Sequence, residues 1–240
     1  MRSEEFLRWY RVMEDLLEAR LPAEGRRHAS VVMDYLETED AQPFRERLDL
    51  CREIRNLLSH SANPDGSAVI EPSEAVVASL KAIVEHIREP MRAEMFMTRR
   101  QDLMTARGDY YALRLMRDME ARGFSHVPVL SDERVVGVFS VSTVFSQLAR
   151  EGELNISEKT RISLFSRSLR VDRHASERFQ FAPAGITHAE VSALFERRPA
   201  KRKRLAAVFI TDTGDEDGAL LGMITPWDLL AAKPNADAAV

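Results

Sequence analysis

Gly222-Met-Ile-Thr-Pro-Trp-Asp-Leu-Leu230 decides how this chain is read, and Gly137-Val-Phe-Ser-Val-Ser-Thr-Val-Phe145 is its weaker echo. In each copy a glycine sits inside an apolar run, a hydroxyl residue follows three places later, and a helix-like segment begins. The run reads as a strand. Thr225 or Ser140 is placed to cap the helix, and Pro226 stands at the first helical position, where proline is favoured. The free N–H groups of such a helix start form a ready anion site over the strand end. A unit written twice implies two halves that pack together.

The 240 residues allow one or two domains with a real core. A formal net charge of −4 argues against indiscriminate nucleic-acid binding and leaves room for a local basic groove. The single cysteine, Cys51, rules out an intramolecular disulfide framework and fits a reducing compartment. No apolar run approaches the roughly 20 residues that span a bilayer, and the opening Met1-Arg-Ser-Glu-Glu5 has no hydrophobic signal core. The expectation is a cytoplasmic protein without a membrane partner.

Residues 1–90 read as helical. Phe6, Trp9, Tyr10, Met13, Leu16 and Leu17 repeat at helical spacing until Pro22 and Gly25. Ala29, Val32, Met33 and Leu36 form a second stripe. Pro43 opens a third, with Phe44, Leu48, Cys51, Ile54 and Leu58, stopped by the turn Asn63-Pro-Asp-Gly66. Ser73 caps a fourth, carrying Val76, Leu80, Ile83, Val84 and Ile87, closed by Pro90. Four amphipathic helices with short loops predict an antiparallel bundle. Arg55 falls inside the apolar stripe of the third helix, where a charge needs a partner. Glu14 and Asp34 are the candidates. Arg55 and His60 are five apart, about 140° around an ideal helix, so they converge only if the helix loosens or a second copy supplies one of them.

Arg55-Asn-Leu-Leu-Ser-His60 resembles the Arg-x4-His motif of the HEPN family, helical bundles that are often metal-independent ribonucleases. The resemblance implies a catalytic set of Arg55, Asn56 and His60 at a site where two bundles meet, hence a homodimer and RNA as substrate. His60 would move the proton of the attacking 2′-hydroxyl, and Arg55 would neutralise the charge growing on phosphate. Arg55 as a structural ion pair and His60 as a residue favoured at a helix C-terminus fit the same letters.

From Met91 the pattern changes. Gln101–Ala106 reads as a short strand, Asp109 as the cap of a helix ended by Gly123, His126–Leu130 and Val135–Ser140 as strands around the turn Ser131–Arg134, and a helix follows to about Ala149. The second copy has an irregular linker or insertion over 163–178, a leading strand Phe179–Ala182, the capping box Thr187-His-Ala-Glu190, and a helix ended by Pro199. Strand Leu205–Thr211, an acidic loop, strand Ala219–Ile224 and a last helix complete it, with a tail over 234–240. This order, and the wording Ser125-His-Val-Pro-Val-Leu130, resembles the CBS domain. The expected architecture is α+β: a HEPN-like bundle over 1–90, CBS repeats over 91–151 and 152–233.

The CBS resemblance implies clefts for adenine nucleotides such as AMP, ADP or ATP, as regulatory ligand rather than required cofactor. Thr225 and Asp228 match the family's ribose site, Phe179, Phe181 and Val208 would flank the base, and Arg204 would reach the phosphates. Ser140 matches in the first repeat, but Thr143 replaces the aspartate, so that cleft is expected to be weak or empty. Thr225 and Asp228 also fit a plain helix cap, and the run Arg197–Arg204 fits a solvated loop or an RNA grip. His28, His86, His126, His174 and His188 lack metal-ligand spacing. The combined expectation is a nucleotide-sensing module that controls a ribonuclease, or a non-catalytic sensor whose bundle dimerises or docks a partner.

Overall fold

The computed structural model describes residues 1–60, 68–197 and 203–232. The turn expected at 63–66, the helix end at Pro199, the basic residues 201–202 and the tail lie outside them. The chain divides into two compact units, one of residues Met1–Met91 with Thr187–Glu190, the other of Arg92–Ile186 and Val191–Ala232.

The first unit is built on α1 (Arg2–Arg20), α2 (Val31–Leu36), α3 (Arg45–His60) and α4 (Glu74–Arg88), with a 3-10 turn over Glu39–Phe44. Ser73 caps α4 by accepting from the N–H of Val76. The predicted apolar positions Phe6, Met13, Leu17, Val32, Leu48, Leu80, Ile83 and Val84 form one core in which each is fully buried. One polar cluster crosses the helices of this unit. Asp40 accepts from Tyr35 Oη at 3.1 Å and lies 3.1 Å from His86 Nε2. Burial pushes the Asp40 carboxyl up, but His86, Tyr35 and Arg20 outweigh it and hold it below its ordinary value.

The second unit contains the repeat. Its first copy has α5 (Ala112–Arg122), the hairpin β2 (His126–Ser131) and β3 (Arg134–Ser140), and α6 (Val141–Glu151). Asp132 and Glu133 both adopt positive φ, 47° and 64°, as a two-residue hairpin turn of matching twist requires. Its second copy has β4 (Glu177–Pro183), α8 (His188–Glu196), β5 (Arg204–Thr211), β6 (Leu220–Ile224) and α9 (Pro226–Ala231). A two-residue strand, β1 (Thr98–Arg99), joins this sheet, whose order is β1-β6-β5-β4. β4 and β5 run parallel, with α8 as the crossover, while β6 is antiparallel to both β5 and β1.

Three local expectations need correction. The strand expected at 101–106 reduces to a single parallel bridge between Ala106 and Val129. The cap of α5 is Tyr111, not Asp109, whose carbonyl instead accepts from Arg161. The segment 163–178 is not an irregular insertion. It holds a 3-10 turn over Ile162–Phe165 and α7 (Ser166–Leu169), and buries Ile162, Phe165 and Leu169 in the core of the first repeat. A Cβ on Gly137 of β3 would stand 2.7 Å from the carbonyl oxygen of Leu169. A Cβ on Gly222 of β6 would stand 2.8 Å from that of Thr98. The two glycines quoted at the outset therefore serve one purpose: each lets the backbone of a leading segment lie against a strand.

Candidate functional site

The end of β6, the start of α9 and the start of β5 enclose a cleft of about 470 Å³, lined by Thr225, Pro226, Trp227 and Arg204–Ala206, with Ser125, His126, Ser176 and Glu177 opposite. Arg204 is exposed on its rim. Among the described residues it has no ion-pair partner. Trp227 is 77 % exposed, so its ring offers a bare apolar face to this cleft.

Thr225 and Asp228 are bonded to each other. Oδ2 of Asp228 accepts from the N–H of Thr225 at 2.7 Å and from its hydroxyl at 2.6 Å, and Oδ1 accepts from Thr98 at 3.2 Å. This is a capping box tied to β1. A carboxylate has about four acceptor positions, so roughly one is left for a ligand. Asp228 cannot take both hydroxyls of a ribose without giving up Thr98, and it does not line the cleft.

The three expected base contacts do not share one place. Phe179 and Phe181 face one side of the sheet, where Phe179 stacks on Phe209 at 5.8 Å. Val208 pairs with Gln180 and lies on the other side, fully buried with Ile210 and Ile224. The pleat therefore prevents these three from flanking one ring. Phe179 and Phe181 line a separate cleft of about 750 Å³, beside Arg134, Arg170 and Lys203.

In the first repeat, Ser140 is 1 % exposed and donates to Glu177 at 3.1 Å. Thr143, fully buried, donates to the carbonyl of Val138 and accepts from the N–H of Ser140. Both hydroxyls are committed inside the fold, so Ser140 is not presented to a ligand. The recipient, Glu177, is the residue that sequence reasoning missed. Its Oε1 lies 3.1 Å from His126 Nε2, and its Oε2 lies 3.6 Å from His174 Nδ1. Burial pushes its carboxyl up, but His126, His174 and Ser140 together outweigh burial and hold it down at about 2. Its partners stand 51 and 37 positions away for His126 and Ser140, so no local pattern marks them.

In the helical unit, Arg55 lies 3.8 Å from Glu14 and places its guanidinium 5.8 Å from the ring centre of Tyr10. It also donates to Asn56 Oδ1 at 3.5 Å. His60 is exposed at the last position of α3. Among the described residues, no hydrogen bond or ion pair joins it to Arg55 or Asn56. They also hold no cluster of three or more His, Cys, Asp or Glu side chains suited to a metal, and no helix long and apolar enough to cross a membrane.

The family model of the CBS domain matches residues 93–150, the span of β1, α5, β2, β3 and most of α6. Residues 93–150 are a CBS domain. The chain is also similar to CbpB in complex with c-di-AMP, at 16 % identity and a TM-score of 0.47, over 66 % of this chain and 93 % of that one. CBSX2 in complex with AMP shows 15 % identity and a TM-score of 0.40, over 59 % and 94 %. A putative acetoin utilization protein from Vibrio cholerae shows 17 % identity and a TM-score of 0.43, over 60 % and 90 %. No curated protein sequence shows significant similarity to the chain. Within the CBS domain the hydroxyl-x-x-hydroxyl pair Ser140 and Thr143 is structural, which leaves the cleft at Thr225 as the candidate binding site.

Proposed function

We propose that the chain is a nucleotide-binding regulatory protein, with CBS repeats over 91–151 and 152–233, in which the cleft at Thr225 takes an adenine nucleotide. The observation that carries this reading is the meeting of Arg204, Thr225 and the exposed Trp227 on one cleft of about 470 Å³. That volume lies within the usual range of small-molecule sites, roughly 300–1,000 Å³. Arg204 offers a planar cation for phosphate. Trp227 offers a stacking face for a base, and Leu205 and Ala206 an apolar strand floor. Calorimetric titration with AMP, ADP, ATP and c-di-AMP tests it. Arg204→Ala should weaken the best ligand about tenfold, close to 1.4 kcal/mol, and Trp227→Ala should do likewise. Failure of all four to bind, or affinity untouched by both substitutions, refutes the site.

For the helical unit the non-catalytic reading is favoured, because Arg55 is held by Glu14 and Tyr10 of its own unit. Its role is then to dimerise or to dock a partner that reads the nucleotide state. Structured and unstructured RNA incubated with the protein should stay intact, with wild type and His60→Ala alike. Cleavage that His60→Ala abolishes would establish the HEPN-like ribonuclease instead.

A further inference from the structure

Three side chains on the wall of the Thr225 cleft form an unbroken relay of hydrogen-bond contacts. Ser125 Oγ lies 2.9 Å from Nδ1 of His126, and Nε2 of the same ring lies 3.1 Å from Oε1 of Glu177. Ser125, His126 and Glu177 all line that cleft. The order is hydroxyl, imidazole, carboxylate, the constellation that activates a serine on several unrelated folds. Here the ring is turned round, with the hydroxyl on Nδ1 and the acid on Nε2.

The surroundings hold each member. An ionised carboxylate only accepts hydrogen bonds, and the Glu177 carboxyl is held at about 2. It therefore keeps the proton of a singly protonated ring on Nε2 and leaves the Nδ1 lone pair to the hydroxyl. Ser140 donates to the other oxygen, Oε2, at 3.1 Å, so the acid is anchored on both sides. Phe179 packs edge-to-face with the imidazole at 5.8 Å. His126 opens β2 in register with Ser140, whereas Ser125, one residue earlier, is exposed. An accessible hydroxyl backed by a fixed base and an orienting acid has the form of an activated nucleophile. Arg204, the register partner of Glu177, lines the same cleft and offers a cation for charge growing on an attacked carbonyl.

We propose that Ser125 is a nucleophile, with His126 as its general base and Glu177 as the residue that positions the ring, and that the cleft hydrolyses small carboxylic esters carrying a negative charge. Ser125 Oγ bonds to the carbonyl carbon, the bond from that carbon to the alcohol oxygen breaks, and the serine proton passes through His126 Nδ1 to the departing oxygen. Water then cleaves the acyl-serine by the same proton route, releasing the acid and restoring the hydroxyl. This activity shares the cleft with the nucleotide reading above and does not depend on it.

The full-length protein, without nucleotide, serves for the test. A fluorophosphonate forms an Oγ–P bond and expels fluoride, and peptide mass spectrometry locates the labelled serines. Ser176 is an internal control: it is exposed, lines the same cleft, and its hydroxyl faces that of Ser142 at 3.4 Å rather than an imidazole. Ser125 should be labelled about a hundredfold faster than Ser176, and His126→Gln should remove that advantage. Glu177→Gln should lower the maximal labelling rate about tenfold while the half-saturating probe concentration stays within about twofold, a split expected of a positioning residue. Wild type should hydrolyse the mono-para-nitrophenyl ester of succinic acid faster than para-nitrophenyl acetate, and Ser125→Ala should hydrolyse neither above background. Labelling of Ser125 no faster than that of Ser176 in wild type overturns the nucleophile without recourse to any variant. An advantage that survives His126→Gln overturns the relay. Labelling without turnover of either ester overturns the hydrolytic activity. None of these results depends on whether AMP binds.

Discussion

Phe209→Ala is expected to lower the stability of the second unit by about 3–5 kcal/mol, the usual cost of emptying a buried aromatic site. Phe209 is fully buried, stacks on Phe179 at 5.8 Å and touches Phe181 at 5.6 Å. Its removal costs the transfer free energy of one ring and also leaves Phe179 without its platform. Phe179 in turn packs against His126 and His174 at 5.8 and 4.9 Å, so the loss should propagate to Glu177. The check is urea unfolding followed by hydrogen exchange of β4, β5 and β6 peptides, which separates this unit from the helical one. A loss below about 1 kcal/mol would mean that the stack does not carry this core. A loss in the expected range with unchanged exchange at 174–178 would mean that the polar cluster holds without it.

The helices and capping boxes were legible because the interactions that define them span three or four residues. Phe6, Met13 and Leu17, and the pairs Thr187–Glu190 and Thr225–Asp228, announce themselves in local spacing. What was missed depends on contacts between distant segments. Leu205–Thr211 is apolar at almost every position because both its faces are buried, so nothing in it tells which of its two faces meets Phe179 and Phe181. The side taken by Val208 is fixed by register with β4, which shifts at an irregularity between Arg178 and Phe179. Likewise Ile162, Phe165 and Leu169 sit in a stretch rich in Arg and Ser that reads as linker. They become core only because Gly137 lets that stretch approach β3. The resemblance to CBS domains located the fold of 93–150 correctly, yet carried two ligand roles, those of Ser140 and Val208, onto side chains that the fold has already buried.

Gly137→Ala should cost more than Gly222→Ala, about 2–3 against 1–2 kcal/mol, although the two glycines hold matching places in the repeat. At Gly137 the new methyl would meet the carbonyl oxygen, carbonyl carbon and Cβ of Leu169 at 2.7, 3.0 and 3.0 Å. Two of these are backbone atoms. They belong to α7, anchored by Leu169, by buried Phe165 one residue before it, and by the bond from His174 to Leu169. The methyl can be accommodated only by lifting α7 off β3, which would also pull on the His174–Glu177 pair. At Gly222 the nearest atom is the sulfur of Met97, at 2.5 Å, the flexible end of an unbranched side chain. The backbone contact, Thr98 O at 2.8 Å, belongs to a two-residue strand on the edge of the sheet, which can shift without moving a core. Its movement would still disturb the bond from Thr98 to Asp228. Gly222→Ala should therefore change behaviour at the Thr225 cleft more than it changes stability, and Gly137→Ala the reverse. Denaturant midpoints of the two variants, measured beside AMP titrations, decide the matter. Equal losses of stability, or a larger loss at Gly222, would show that the leading segments are not held in the unequal way described.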